Sequence, residues 1–171
     1  MFYLQYKKYI EALLFASGDP ITIHKISHIL EIPEEHVELL MEELIRDMSM
    51  EHRGLKIIRV ASGYQLCTKP ELSSVVEKLG QVQDNKLSSA AMETLAIIAF
   101  KQPITKIEIE NIRGVKIDRV LFTLSERQLI KEVGRKETIG RPILYGTTED
   151  FLKCFGLNGL QDLPPLAELM Q

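Results

Sequence analysis

Two winged-helix domains in tandem, mainly α with small β wings (α+β), is the fold the sequence predicts, and three observations predict it. The stretch Leu95 to Val115 (LAIIAFKQPITKIEIENIRGV) reads as a helix end, a break, a short helix and a glycine turn, the start of a helix-turn-helix. The same unit stands earlier in the chain. A shift of 83 positions lays Pro20-Ile21-Thr22 on Pro103-Ile104-Thr105, Ala16 on Ala99, Ile26 on Ile109, Ile29 on Ile112 and Val37 on Val120. After each third helix the apolar pattern changes from helical to alternating, as a hairpin requires.

Taken in order, Phe2 to Ser17 reads as the first helix. Phe2, Tyr3, Tyr6, Tyr9, Ile10, Leu13 and Leu14 cover an arc of roughly 140° on it, wider than one small core needs. Such an arc suits either a deeply buried helix or an interface that takes up the tyrosines. Gly18-Asp19-Pro20 turns the chain, Thr22 caps a short helix His24–Glu31, and Pro33 fits the first position of a long helix Glu34–Met50. Residues 55–60 and 64–68 are β-rich runs around an Ala61-Ser62-Gly63 loop, and Pro70 opens a further helix, Glu71–Leu79. In the polar run Gly80–Lys86 (GQVQDNK), residues 81–86 are the linker between domains 1–80 and 87–156.

In the second domain Ser88 or Ser89 caps a helix through Lys101, and Gln102-Pro103 stops it because proline lacks the amide proton. Ile104 is extended, and Thr105 with Glu108 three residues on forms a capping box. Gly114 ends that short helix and Ile117–Gln128 forms the next. Leu129–Gly134 and Pro142–Thr147 are the second wing, and Thr148–Phe155 is a last helix ended by Gly156. The apolar tail 157–171 carries Pro164-Pro165 and is expected to be irregular and docked in part.

At 171 residues, 45% hydrophobic and 26% charged, the composition is that of a globular chain with room for two lobes. No run approaches the ~18 apolar residues of a membrane span, and the amino terminus carries no cleavable signal pattern. Cys67 and Cys154 have no ligand-like spacing and are expected to be reduced thiols. Phosphate loop, nucleophile elbow and metal-spaced Cys/His cluster are all absent from the sequence, so no catalytic, cofactor-binding or metal-binding residue is expected. His24 and His28 stand at i, i+4 but have no third ligand near them in sequence.

A net charge of −3 is not that of a free-standing DNA reader. The third helix of the first domain carries Glu34, Glu35, Glu38, Glu42, Glu43 and Asp47 against Arg46 alone, which repels phosphate. The second domain is more balanced. Its Lys131, Arg135, Lys136 and Arg141 either make weak backbone contacts with DNA or belong to a solvated face, since Glu132 and Glu137 interrupt them. The core stripe of its third helix is Ile117, Val120, Leu121 and Leu124. Phe122 falls roughly 100° away and Leu39 is its equivalent. Apolar residues facing outward there suit protein recognition, or else lie under the wing or the tail.

The second domain also carries a string of motifs: Leu95-Ala96-Ile97-Ile98-Ala99-Phe100, Lys101-Gln102-Pro103-Ile104-Thr105, Ile112-Arg113-Gly114-Val115 and Gly140-Arg141-Pro142-Ile143-Leu144-Tyr145-Gly146-Thr147. With Glu11-Ala12-Leu13-Leu14-Phe15-Ala16 and Gly63-Tyr64-Gln65-Leu66 in the first, the chain resembles the segregation and condensation protein B family of bacteria across nearly its whole length. The resemblance implies a non-enzymatic homodimer without cofactor, cytoplasmic and nucleoid-associated. It implies binding to the central segment of the kleisin subunit ScpA, and through it to an SMC ATPase in a condensin-like complex. DNA is then met mainly through the complex, and no membrane is involved. On this reading Phe2, Tyr6, Tyr9 and Leu13 form the dimer contact, and Arg113, Arg119, Phe122 and Leu39 meet the kleisin. The alternative is a winged-helix transcription regulator reading DNA with its second domain.

Overall fold

The computed structural model describes residues 4–79 and 86–164. Phe2, the expected linker apart from Lys86, and residues 165–171 of the expected tail lie outside them. The architecture is mixed, helices with small antiparallel sheets, and the chain divides into two compact units. Among the described residues the first comprises 4–79 with Gly156–Gly159, and the second 86–155 with 160–164.

In the first unit a 3-10 turn, Leu4–Tyr6, leads into α1 (Lys7–Ser17), followed by α2 (Ile23–Leu30) and α3 (Glu34–Ser49). Thr22 caps α2, its Oγ1 accepting from the Lys25 N–H at 3.2 Å. Pro33 is the N-cap residue of α3 rather than its first turn. Proline's φ suits both places, but ψ here is 144°, extended, and its carbonyl accepts from the His36 and Val37 N–H groups.

Strands β1 (Leu55–Val60) and β2 (Gly63–Thr68) pair antiparallel with Val60 opposite Gly63, so the connecting loop is Ala61-Ser62 alone. Both loop residues have positive φ, 47° and 62°, which matches a tight two-residue hairpin. Gly63 is therefore a strand residue. A Cβ there would stand 3.1 Å from the Ile21 backbone, and that backbone exchanges two hydrogen bonds with Tyr64. The helix expected over Glu71–Leu79 is broken into a 3-10 turn Pro70–Leu72, α4 (Ser73–Val76) and a 3-10 turn Glu77–Leu79. None of its residues is buried, so no packed face holds a continuous helix. The core is Ile10 and Leu14 of α1, Ile26 of α2, Val37, Met41, Leu44 and Met48 of α3, with Ile21 and Ile57. Lys69, only 7% exposed, donates to the Met50 carbonyl at 2.8 Å and closes the end of α3. The Leu157 carbonyl and Asn158 Oδ1 accept from the Ala61 and Ser62 N–H groups, each at 3.0 Å.

The second unit repeats the plan. α5 (Ser89–Lys101) is capped by Ser88, and β3 (Ile104–Thr105), α6 (Lys106–Arg113) and α7 (Asp118–Glu126) follow. Strands β4 (Ile130–Arg135) and β5 (Ile143–Thr147) then lead to α8 (Glu149–Phe155). α7 is shorter than expected because Ile117 is its N-cap and Gln128 takes φ 55°, left-handed. The sheet order is β3-β5-β4, with Ile104 opposite Tyr145. In the first unit Ile21 stands opposite Tyr64 in the same way, so the likeness extends to strand pairing, although the two tyrosines are 81 and not 83 positions apart. Ala91, Leu95, Ile98, Ile109, Ile117, Leu121, Leu124 and Phe151 form this core. Val120, expected in the stripe, is only half-buried, and of the pair Ala16 and Ala99 only Ala99 is buried.

Candidate protein-binding surfaces

The wide apolar arc of the first helix is split in the fold. Ile10 and Leu14 enter the core, and Tyr6 and Leu13 pack half-buried against it. Tyr9 remains 47% exposed, its ring 6.0 Å from that of Tyr6 in an edge-on pair, with the Lys8 Nζ 5.1 Å from its centroid. Lys7, on the same helix, bridges to Glu43 at 3.0 Å and Asp47 at 2.8 Å of α3. Of the described residues expected at a dimer contact, Tyr9 is thus the open one, and Tyr6 and Leu13 also serve their own core.

On α7 the core residues Leu121 and Leu124 bracket Phe122, which points outward and is 65% exposed. Leu39, its equivalent on α3, is 60% exposed between the exposed Glu35, Glu38 and Glu42. Ile29 and Ile112, which the repeat pairs at what looked like core spacing, are both exposed as well. Each unit therefore leaves the same two apolar positions uncovered, one on its second helix and one on its third. Arg119, one turn before Phe122, is exposed. Arg113 is not available in the same way. Its guanidinium is paired to Glu93 and donates to the Ala90 carbonyl at 3.3 Å, so it braces α6 against α5, and a partner would have to break that bridge.

Among the expected basic contacts, Lys131, Arg135 and Arg141 are exposed on the β4–β5 hairpin. Lys136 is held by Glu108 at 2.5 Å. Glu108 also accepts from the Thr105 N–H at 2.9 Å, completing the capping box of α6. The Lys136 ammonium and the two Thr105 donors hold its carboxyl well below the usual range, at about 2. Lys106 is paired to Asp118 and to Glu110, which joins the start of α6 to that of α7.

Two features escaped the sequence reading. A cavity of about 400 Å³ in the second unit is lined by Leu87, Met92, Leu129 and Phe155, with Lys86, Arg127 and the exposed Cys154 at its walls. Its residues come from four separate places in the chain, so no local pattern announces it. The other is His24, whose Nδ1 lies 2.8 Å from Glu34 Oε1, a tie between α2 and the start of α3. Among the described residues no three His, Cys, Asp or Glu side chains come together as a metal site would need. No helix there is long and apolar enough to cross a membrane.

Exposed apolar side chains set among charges on helix faces are what a protein-binding module presents to its partners. Residues 8–166 match the family described as segregation and condensation complex subunit ScpB. A segregation and condensation protein B from Symbiobacterium thermophilum is 55% identical over 160 residues, covering 94% of this chain and 73% of the relative. One from Clostridium tetani is 47% identical over 169 residues, covering 98% and 89%. The chain belongs to the ScpB family of segregation and condensation complex subunits. A crystal structure of ScpB from Mycobacterium tuberculosis is 32% identical, covers 88% of this chain and 94% of its own, and superposes with a TM-score of 0.42. The assignment rests on the sequence matches.

Proposed function

We propose that this chain is a non-enzymatic adaptor of the SMC condensin-like complex that grips the central segment of the kleisin ScpA. It acts in the cytoplasm, at the nucleoid, and meets the SMC ATPase through the kleisin. The two units are winged-helix domains, a reading supported by the order helix, extended segment, two helices and hairpin in each, with Ile21 bridged singly to Tyr64 of β2 in the first and β3 paired with β5 in the second. The first domain dimerises through α1 around Tyr9, and the apolar positions on the third helices receive the kleisin.

The observation that carries this reading is the matched exposure of Leu39 and Phe122, at 60% and 65%, where a groove-reading helix would place polar side chains. Isolated α3 would also meet phosphate with Glu35, Glu38 and Glu42, which disfavours the transcription-regulator reading. Capture of the kleisin's central segment by the full chain tests the proposal. Tight, sequence-dependent binding of duplex DNA by the chain alone at moderate salt, with no capture of the segment, contradicts it.

A further inference from the structure

The β4–β5 hairpin of the second unit ends in a tip that nothing in the adaptor reading uses. The loop is closed by backbone hydrogen bonds: Lys136 N–H to the Pro142 carbonyl at 2.9 Å, Thr138 N–H to Lys136 at 2.9 Å, and Arg141 N–H to Thr138 at 2.8 Å. At its end Ile139 is 105% exposed, more open than any other large apolar side chain among the described residues. Arg135 and Arg141 flank it, and Arg135 Nη1 donates to the Arg141 carbonyl at 3.3 Å, which draws the guanidinium toward the tip. Lys131, Arg135, Lys136 and Arg141 against Glu132 and Glu137 leave residues 131–141 at +2 (4 − 2) in a chain whose net charge is −3. Lys136 is committed to Glu108, so Lys131, Arg135 and Arg141 are the cations free of any ion pair described for this hairpin.

We infer that this hairpin is a sequence-tolerant contact for duplex DNA, with Lys131, Arg135 and Arg141 on the phosphates and Ile139 entering the minor groove. Three features favour a duplex over an acidic protein segment. The positive charge sits on a narrow two-stranded ribbon, beside only an open, shallow concavity lined by Glu137, Thr138, Ile139 and Arg141. An arginine pair beside a bare aliphatic side chain is the composition with which minor-groove proteins combine phosphate contact and an apolar wedge. The tip is also tied into its own fold by the Lys136 to Glu108 pair, so it need not be ordered when it binds. The contact is weak by construction, since three cations give only the sequence-independent part of DNA affinity.

The test is fluorescence anisotropy of the full chain, without kleisin, on a labelled 20-bp duplex from low to physiological salt. Binding should be in the micromolar range at low salt and weaken with salt along a log–log slope of about −3 for one engaged hairpin. Arg135→Ala and Arg141→Ala should each flatten that slope by about one and weaken binding alike on different sequences. Ile139→Ser should lower affinity several-fold and leave the slope unchanged, because it removes no charge. All three side chains are at the surface, so melting curves should coincide with that of the parent chain. Kleisin capture should persist in each, which separates failure of this inference from failure of the adaptor reading. No binding at low salt, a slope indifferent to both arginines, or an Ile139→Ser variant that binds as well as the parent overturns the proposal.

Discussion

Gln102 and Thr147, 45 positions apart, are locked together: Gln102 Oε1 accepts from the Thr147 N–H at 2.8 Å, and Gln102 Nε2 donates to Thr147 Oγ1 at 3.0 Å. The same Nε2 donates to the Ala99 carbonyl at 3.1 Å, so one amide joins the end of α5 to β5. Gly146 makes room for it. A Cβ there would lie 2.9 Å from Gln102 Oε1 and 2.8 Å from Val133 Cγ1.

Gly146→Ala should cost ~1–3 kcal/mol through overpacking, and Gln102→Ala about as much through partners left unpaired. Because the two sites touch, the double variant should lose less than the sum of the single losses. Urea unfolding of the three variants measures this, and strict additivity would mean the contact carries no energy.

Glu108 predicts an acid-side dependence of stability. Its folded pKa of about 2 lies below its ordinary value of 4.5, so its contribution is fully present above pH 4.5 and is lost as pH falls toward 2. Glu108→Gln should be less stable than the parent at neutral pH, and the two melting temperatures should converge across that window. Parallel curves down to pH 2 would show that the Lys136 and Thr105 bonds contribute nothing.

The proposed dimerisation is best probed at Tyr9, since Tyr6 and Leu13 also pack on their own core. Tyr9→Glu places a carboxylate at the proposed contact, where burial without a partner costs several kcal/mol. Sedimentation should show a folded monomer. A folded dimer would remove α1 from the interface.

How much of this was legible in the sequence depends on how far apart the partners stand. Thr22, Ser88 and the Thr105–Glu108 box act within one helical turn, and each caps as its spacing predicts. The outward aim of Phe122 follows from helical phase alone. Lys69 on the end of α3, Gly63 under Ile21, and Gln102 with Gly146 and Thr147 are bonds or close approaches across 19 to 45 positions. Those positions meet only when the hairpin folds back, and no local periodicity encodes that. Arg113 shows the same limit from the other side: its residue type suits a partner contact, yet Glu93, 20 positions away, engages it.

The central claim is that the outer face of α7 binds the kleisin, and calorimetry of Phe122→Ala with the kleisin's central segment tests it most directly. Phe122 is 65% exposed beside the exposed Arg119, the aromatic and arginine composition of a binding hot spot. The account predicts affinity weaker by at least roughly tenfold, ~1.4 kcal/mol, with the melting temperature unchanged. Unchanged affinity in a stably folded variant would contradict it.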